Sequence, residues 1–389
     1  MYSRPTLVAL LLGLLAVGFV AVLGWPLWDG GMRSTGTSGD AATLDELVET
    51  WGAVPAIPGV ILHIQKADET LYAGAAGHLT RKNQGEIAPD TPFHTASVGK
   101  LFTSVTVLRL HEQGVLDIDK SAAHYLGSEV MQGLVDIDGV DHGDAITLRH
   151  LLSHRSGIGD PENDLRFQLG LMLAPGKKKS PHDLLHYARR TTPAGKPGGR
   201  FSYSSPGFWL LGLVIEAATE EPFHVVVRRE VFDRLGMSAT LEANQEWSRT
   251  EPYLHHFFGG VDLSLFDPSV EFADGGFLTT APDLAKFGLA MARGELFDKP
   301  ETHALYFSVP EATEDPAYFF ALGPRVGLRE GEPKFYLHTG HWAVWFIVFP
   351  EEELVITATL AQSNADLTTF SKAVRRLASS ELGALPKPR

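Results

Sequence analysis

The chain has 389 residues, 44% hydrophobic and 21% charged, which is ample length for a large buried core. Lys and Arg total 33 against 47 Asp and Glu, and the resulting net charge of −14 argues against nucleic acid as a partner, since phosphate binding needs clustered positive charge. There is no cysteine, so disulfides, thiolate chemistry, zinc–thiolate sites and a lipidated N-terminal cysteine are excluded.

At the N-terminus, Thr6 to Gly24 is almost wholly apolar, with Arg4 ahead of it and Trp25, Trp28 and Asp29 behind. About 20 apolar residues span a bilayer, and the positive end stays cytoplasmic. Residues 1–28 are therefore expected to form a single-pass cell-membrane anchor. A cleaved signal peptide is the alternative, but the run is long for a signal core and no small-x-small cleavage site follows it. Both readings put the bulk of the chain outside the cytoplasm, tethered in the first case and secreted in the second. Residues 29–41 read as a flexible linker, because Met32 to Ala41 is rich in Gly, Ser and Thr.

The folded domain is expected over 42–389. Thr43 to Trp51 has a short helical pattern. Val60 to Lys66 and Thr70 to Ala76 read as strands joined at Asp68 and Glu69. Ser97 to Gln113 reads as a helix with apolar residues around most of its circumference, hence buried, and Gly114 ends it. From Val115 to about Glu271 the signals are helices and loops, with helices expected at Thr147–Ser153, Pro181–Arg190, Pro206–Thr219 and Phe223–Leu235. Asp136 to Asp144 reads as a solvated acidic loop, its spacing wrong for a calcium loop. A further helix is expected at Ala281–Met291. Strands follow at Ala317–Val326, Lys334–Leu337, Trp342–Phe349 and Leu354–Leu360, and Leu367–Leu382 reads as a closing helix. Trp342 to Phe349 is apolar on both faces, as a covered central strand should be. Strands early and late with helices between imply an α+β fold. One sheet built from both chain ends (42–113 and 277–389) would be flanked by helices, with a helical part at 114–276 inserted.

The chemistry centres on Thr95-Ala96-Ser97-Val98-Gly99-Lys100. Residues three apart share a helix face, so Ser97 and Lys100 point the same way. The helix start adds unpaired N–H groups and positive partial charge, suited to an anionic intermediate. A serine hydroxyl needs a base, and no Gly-x-Ser-x-Gly elbow surrounds a serine here. A lysine can be that base if burial lowers its pKa to about 7–8, and Lys100 lies in an otherwise apolar helix. Alone, Ser-x-x-Lys is weak evidence, and a capped helix with a snorkelling lysine is the better reading of the bare match.

Further stretches add context: Leu151-Leu152-Ser153-His154-Arg155-Ser156-Gly157-Ile158, Phe201-Ser202-Tyr203-Ser204-Ser205-Pro206-Gly207, Gly275-Gly276-Phe277-Leu278-Thr279-Thr280 and His338-Thr339-Gly340. In the order and separation of these motifs, from about residue 43 to the end, the chain resembles the serine β-lactamase and penicillin-binding-protein-like superfamily. The likeness is to its branch of class C β-lactamases, D-Ala-D-Ala carboxypeptidases and esterases. The resemblance implies an α/β sandwich with an all-helical part and an active site in the cleft between them.

It also implies roles. Ser97 is the acylated nucleophile, Lys100 its base or base partner, and Tyr203 a proton relay. His338 and Thr339 orient the acyl group or a substrate carboxylate. Gly340 lets substrate backbone approach, and the His341 and Ser97 N–H groups form the oxyanion hole. The Leu151–Ile158 and Gly275-Gly276 stretches read as structural. Two departures stand out. His338 replaces the usual lysine, and a neutral histidine is a poor carboxylate anchor at pH 7. Ser205 replaces the asparagine that contacts substrate amides. Followed by Pro206, it also suits a helix N-cap, the role favoured for it here over substrate binding.

His182 and His186 stand four apart, but the glutamate base and third ligand of a zinc motif are missing, so no metal is expected. No organic cofactor is implied. The reading favoured is an exported, membrane-tethered serine hydrolase forming an acyl-enzyme on small esters or short D-residue peptides. Its rivals are a β-lactamase proper and a binding or scaffold protein of the same fold with a degraded site.

Overall fold

Seven antiparallel strands form the sheet on which everything else is placed. In the computed structural model the described residues are 40–385, without 83, 247–251, 259, 309–317 and 330–331. The expected anchor at 1–28 and all but the end of the linker lie outside them. No helix among the described residues is long and apolar enough to cross a membrane.

The strands are β1 (Gly59–Lys66), β2 (Glu69–Gly77), β3 (Tyr318–Phe320), β4 (Arg325–Arg329), β5 (Glu332–Gly340), β6 (Val344–Phe349) and β7 (Leu354–Thr359). Their spatial order is β3-β4-β5-β6-β7-β1-β2, so the late strands end beside the early ones, with Ile61 opposite Thr359. One sheet from both chain ends is what the sequence leads one to expect.

Both faces are covered, which is why β6 is apolar without alternation. Val344, Phe346 and Val348 face the main core, and Trp345, Ile347 and Phe349 face a second one. Over the second face lie α1 (Leu44–Gly52) and α5 (Leu367–Ser380), the two ends of the domain, with Trp51 edge-on to Phe370 at 5.3 Å. Thr43 caps α1 through its side chain. Over the first face lies α4 (Ala281–Arg293).

Between sheet and helical part runs α2 (Lys100–Glu112), buried from Lys100 through Leu110. Phe102 sits edge-on to Phe232, Phe277 and Phe287 at 5.2, 5.3 and 5.0 Å. The helical part is built around α3 (Ser205–Thr219), whose Phe208 and Leu211 share the main core with Leu151 and Leu185.

Four local expectations are corrected. The strand expected at Ala317–Val326 is two, because Gly323 has φ +136° and Pro324 has no N–H to donate, and the chain turns there. The acidic loop at Asp136–Asp144 contains a two-residue hairpin, with Asp138 and Gly139 at φ +55° and +79° in its turn. The helix expected over 223–235 gives way after Val227 to a wider π-type turn, Arg228–Phe232. The part from 114 to 276 is not wholly helical, since Leu241–Glu242 pairs with Phe277–Thr279, which also pairs with Phe93–His94.

Phe102 is the residue where these layers meet. Phe102→Ala should lower unfolding free energy by roughly 3–5 kcal/mol in urea titration. A loss below about 1 kcal/mol would show that the layers do not depend on this contact.

Candidate active site

Ser97 does not lie in the α-helix itself. It sits in a tight 3-10 turn, Ala96–Gly99, immediately before α2. In such a turn residues three apart eclipse one another, which puts Ser97 directly over Lys100. Lys100 Nζ donates to Ser97 Oγ at 3.1 Å. Ala96, just before the serine, has φ +44°, an uncommon conformation for a residue with a side chain. Gly275 holds the turn, for a Cβ there would lie 2.7 Å from Ala96 backbone. From the sheet side, a Cβ on Gly340 would lie 2.6 Å from the Thr95 carbonyl oxygen. Glycine at 340 thus brings the end of β5, with His338 and Thr339, alongside Ser97.

Lys100 is wholly buried, and its surroundings differ from the expectation of an uncharged amine. Nζ also donates to the Asp274 carbonyl at 3.0 Å and pairs with Asp274 Oδ2 at 3.2 Å. Burial alone would lower the lysine pKa. The Asp274 carboxylate, with Tyr203 and Glu162 beyond it, outweighs burial and holds Lys100 above the usual lysine range. Lys100 therefore rests as an ammonium. Burial, with Glu162 adding to it, lifts Asp274 to about 6 against the pull of Lys100.

Tyr203 lies in the loop before α3. Its ring centroid is 5.2 Å from Lys100 Nζ, and its buried hydroxyl faces Ser97 and Lys100 without a hydrogen bond at conventional distance. Burial raises the phenol and Lys100 draws it down, with a net upward shift. The ring stacks on His154 at 4.2 Å. The Ser204 N–H donates to His154 Nδ1 at 3.1 Å, which fixes that imidazole's orientation. Burial, then Lys100 and His338, keep His154 neutral.

Two cavities meet at Ser97. One, of about 340 Å³, is lined by Tyr203, Phe320, Arg325, His338, Thr339 and Gly340 among others. The second, of about 470 Å³, is mostly apolar, with Phe167, Leu171, Met172, Trp209, Phe266 and Trp342 in its wall. Ser97, Glu162 and His341 belong to both. Ser97, Lys100, Tyr203, His338, Thr339, Gly340 and His341 are thus gathered at one place.

Ser205 is not among them. It is wholly buried, lines neither cavity, and is the first residue of α3, the N-cap being Ser204. Its hydroxyl donates to Glu162 Oε1 at 2.7 Å and its N–H to Asp160 Oδ2 at 2.9 Å. Neither substrate binding nor the capping role fits. Ser205 is a strut for an acidic loop, its short side chain reaching Glu162 from inside.

His338 is neutral: burial, reinforced by Lys100, lowers it to about 3. Its Nδ1–H donates to the Thr339 carbonyl at 3.0 Å. The cation in this cavity is instead Arg325, half-buried on β4, its guanidinium 3.3 Å from the Tyr318 ring centroid.

The sequence reading missed Glu162, Asp274 and Arg325. Asp160-Pro161-Glu162 looks like an ordinary acidic turn, Asp274 is hidden in front of a glycine pair, and Arg325 falls inside a presumed strand. Asp274 carries a faint signal, a carboxylate next to a motif already singled out.

A family model described as Beta-lactamase matches residues 44–379. The chain belongs to the beta-lactamase family. Among curated members, the human mitochondrial "Serine beta-lactamase-like protein LACTB" is 24% identical over 299 residues, covering 61% of this chain and 54% of that protein. "Esterase EstB" of Burkholderia gladioli is 30% identical over 204 residues, 51% of this chain and 50% of its own. The chain thus spans about half the length of these curated relatives. Solved beta-lactamase-fold structures align over more. The octameric penicillin-binding protein homologue of Pyrococcus abyssi gives a TM-score of 0.70 at 21% identity, covering 86% of this chain and 75% of that one. A D-stereospecific amidohydrolase from Streptomyces sp. gives 0.67 at 23%, covering 82% and 93%. These likenesses show the mixed fold with its mainly antiparallel sheet. The family is one of serine hydrolases, and the relatives include esterases and penicillin-binding proteins.

Asp274 is what keeps Lys100 charged. Replacing it should leave the amine buried beside Tyr203, His154 and His338, with Glu162, Glu271 and Asp160 as the remaining carboxylates nearby. The Lys100 pKa then falls. In Asp274→Asn, the Lys100 Cε resonance of 13C-lysine-labelled protein should titrate at least about one pH unit lower, some 1.4 kcal/mol. Unchanged titration would mean that other carboxylates hold the charge.

Proposed function

We propose that the protein is a serine hydrolase that works through an acyl-enzyme on small esters or short D-residue peptides. The observation that carries this is the contact of Ser97 Oγ with Lys100 Nζ at 3.1 Å, at the junction of two cavities, with the Tyr203 hydroxyl beside both. The relatives named as an esterase and a penicillin-binding protein support it.

The Lys100–Asp274 pair shapes how the proton would move. A buried ion pair is poorly solvated, and filling the cleft with substrate removes the remaining water. One Nζ proton then passes to Asp274 Oδ2, 3.2 Å away, leaving a neutral amine. Ser97 Oγ attacks the carbonyl carbon as its proton goes to Nζ. The oxyanion is met by the N–H groups of Ser97 and His341, each such donor contributing about 3–4 kcal/mol in hydrolases. Tyr203 gives its proton to the leaving oxygen or nitrogen and regains one from Lys100. Water then attacks the ester carbonyl, its proton passing to Lys100 Nζ and from there to Ser97 Oγ as the acyl–oxygen bond breaks; the acid leaves, and Asp274 returns its proton to Nζ.

Arg325 in the smaller cavity fits a substrate carboxylate, the role the resemblance assigned to the strand now occupied by neutral His338. The larger apolar cavity fits the acyl part. A neutral His338 and the absence of the family's asparagine weigh against a β-lactamase proper. A second reading, a binding protein with a degraded site, is favoured by one observation: Lys100 Nζ is paired with Asp274 Oδ2 at 3.2 Å, which favours the ammonium over the free amine a base needs. Placement outside the cytoplasm, tethered by residues 1–28, is part of the proposal and rests on the sequence.

A fluorophosphonate probe separates the two readings. It should label the protein at Ser97, and Ser97→Ala should not be labelled. No labelling of the unaltered protein across pH 5–9, or equal labelling of the variant, would leave the binding reading. Tyr203→Phe should lower kcat for an ester roughly a hundredfold or more with little change in KM. Arg325→Met should raise KM roughly tenfold for esters carrying a carboxylate, and should leave neutral esters within about twofold. An equal effect on both ester types would remove Arg325 from carboxylate recognition.

A further inference from the structure

We propose that the mouth of the larger, apolar cavity is a docking surface for an anionic lipid bilayer. Two segments form its lip. One is the helix Leu165–Met172 and the turn after it, and the other is the stretch 263–267. The Asp267 N–H donates to the Pro175 carbonyl at 2.7 Å, and the Lys179 N–H to Ser269 Oγ at 2.8 Å, so the two segments run side by side. Leu171, Met172, Leu263 and Phe266 line the cavity from these segments.

The same segments present apolar side chains outward. Leu173 is 69% and Leu265 64% exposed, the highest values for any large apolar residue among those described, and Leu165, Leu169 and Met172 are exposed as well. Apolar groups clustered at the rim of an apolar cavity mark a surface that is covered in use.

Charge selects what covers it. Lys177, Lys178 and Lys179 begin four residues after the exposed Leu173, the first two exposed, and among the described residues none of the three forms an ion pair. Among neighbouring carboxylates, Asp183 is held low in part by Lys177 and Lys179, and Lys178 draws Glu242 down. In a chain of net charge −14, three consecutive lysines beside outward-facing leucines match a surface that is negative outside and apolar beneath. The apolar run at 6–24 would hold the domain where such a surface is within reach. Docking would let acyl chains enter the cavity from the bilayer. That consequence rests on the hydrolase reading, whereas docking itself does not.

The absence of cysteine makes the test direct. Leu173→Cys in the full chain takes a single environment-sensitive nitrobenzoxadiazole label, and Val140→Cys, on the Asp136–Asp141 hairpin, is the control site. With vesicles of phosphatidylcholine containing phosphatidylglycerol, emission from position 173 should shift to the blue and rise severalfold while position 140 stays unchanged. With phosphatidylcholine alone the response at 173 should be small, and Lys177→Glu with Lys178→Glu and Lys179→Glu, or high salt, should abolish it. In the unlabelled full chain, vesicles should protect amides of 165–179 and 263–268 from hydrogen exchange, so the outcome does not depend on the labelled variants folding. Ser97→Ala should behave identically, which separates docking from catalysis. No response at 173, an equal response on neutral vesicles, or a response that grows with protein concentration in the absence of lipid would overturn the proposal, the last by showing that a second copy covers the lip.

Discussion

Lys100 carries a charge out of reach of bulk solvent, and the site is arranged around satisfying it. An ammonium so placed is tolerable only if every donor finds an acceptor and an opposite charge stands close. Ser97 Oγ, the Asp274 carbonyl and the Asp274 carboxylate meet both needs. They come from two pieces of chain: the turn before α2 and the short helix Phe272–Gly275. Gly275 and Gly340 allow those pieces and β5 to close to backbone contact around the serine. The charge, the strained turn and the glycine contacts are therefore parts of one constraint.

That constraint divides the labour in the cleft. A cation so near keeps other titratable groups from gaining a proton, and His338 and His154 are both neutral partly on its account. His338 thereby becomes a polar wall, its Nδ1–H tied to Thr339. Positive charge in the smaller cavity comes from further off, from Arg325 on β4, braced on Tyr318. His154 serves through its ring, stacking against Tyr203 and setting where the phenol stands. On the acidic side, Asp160 and Glu162 share Ser205 as a donor, which fixes a carboxylate at the seam of the two cavities.

The elements of the sheet and its covering helices were legible because their signals are local. A strand covered on both faces, such as β6, must be apolar throughout, and the terminal helices α1 and α5 show an apolar stripe facing the sheet. Where a non-local partner decided the matter, reading along the chain failed. Leu241–Glu242 is a strand only because Phe277–Thr279 lies beside it. Ser205 looked like a cap because Pro206 followed it, and it is instead turned inward by two carboxylates more than forty residues away.

The sequence by itself determined that Ser97 and Lys100 share a face, since three residues of a tight turn admit little else, and that the late strands complete an early sheet. It also determined the order of motifs that places the chain in its family. Only the tertiary structure decided the state of that lysine. Burial and an opposite charge push its pKa in contrary directions, and which prevails depends on Asp274 being 3.2 Å away in space though 174 residues away in the chain.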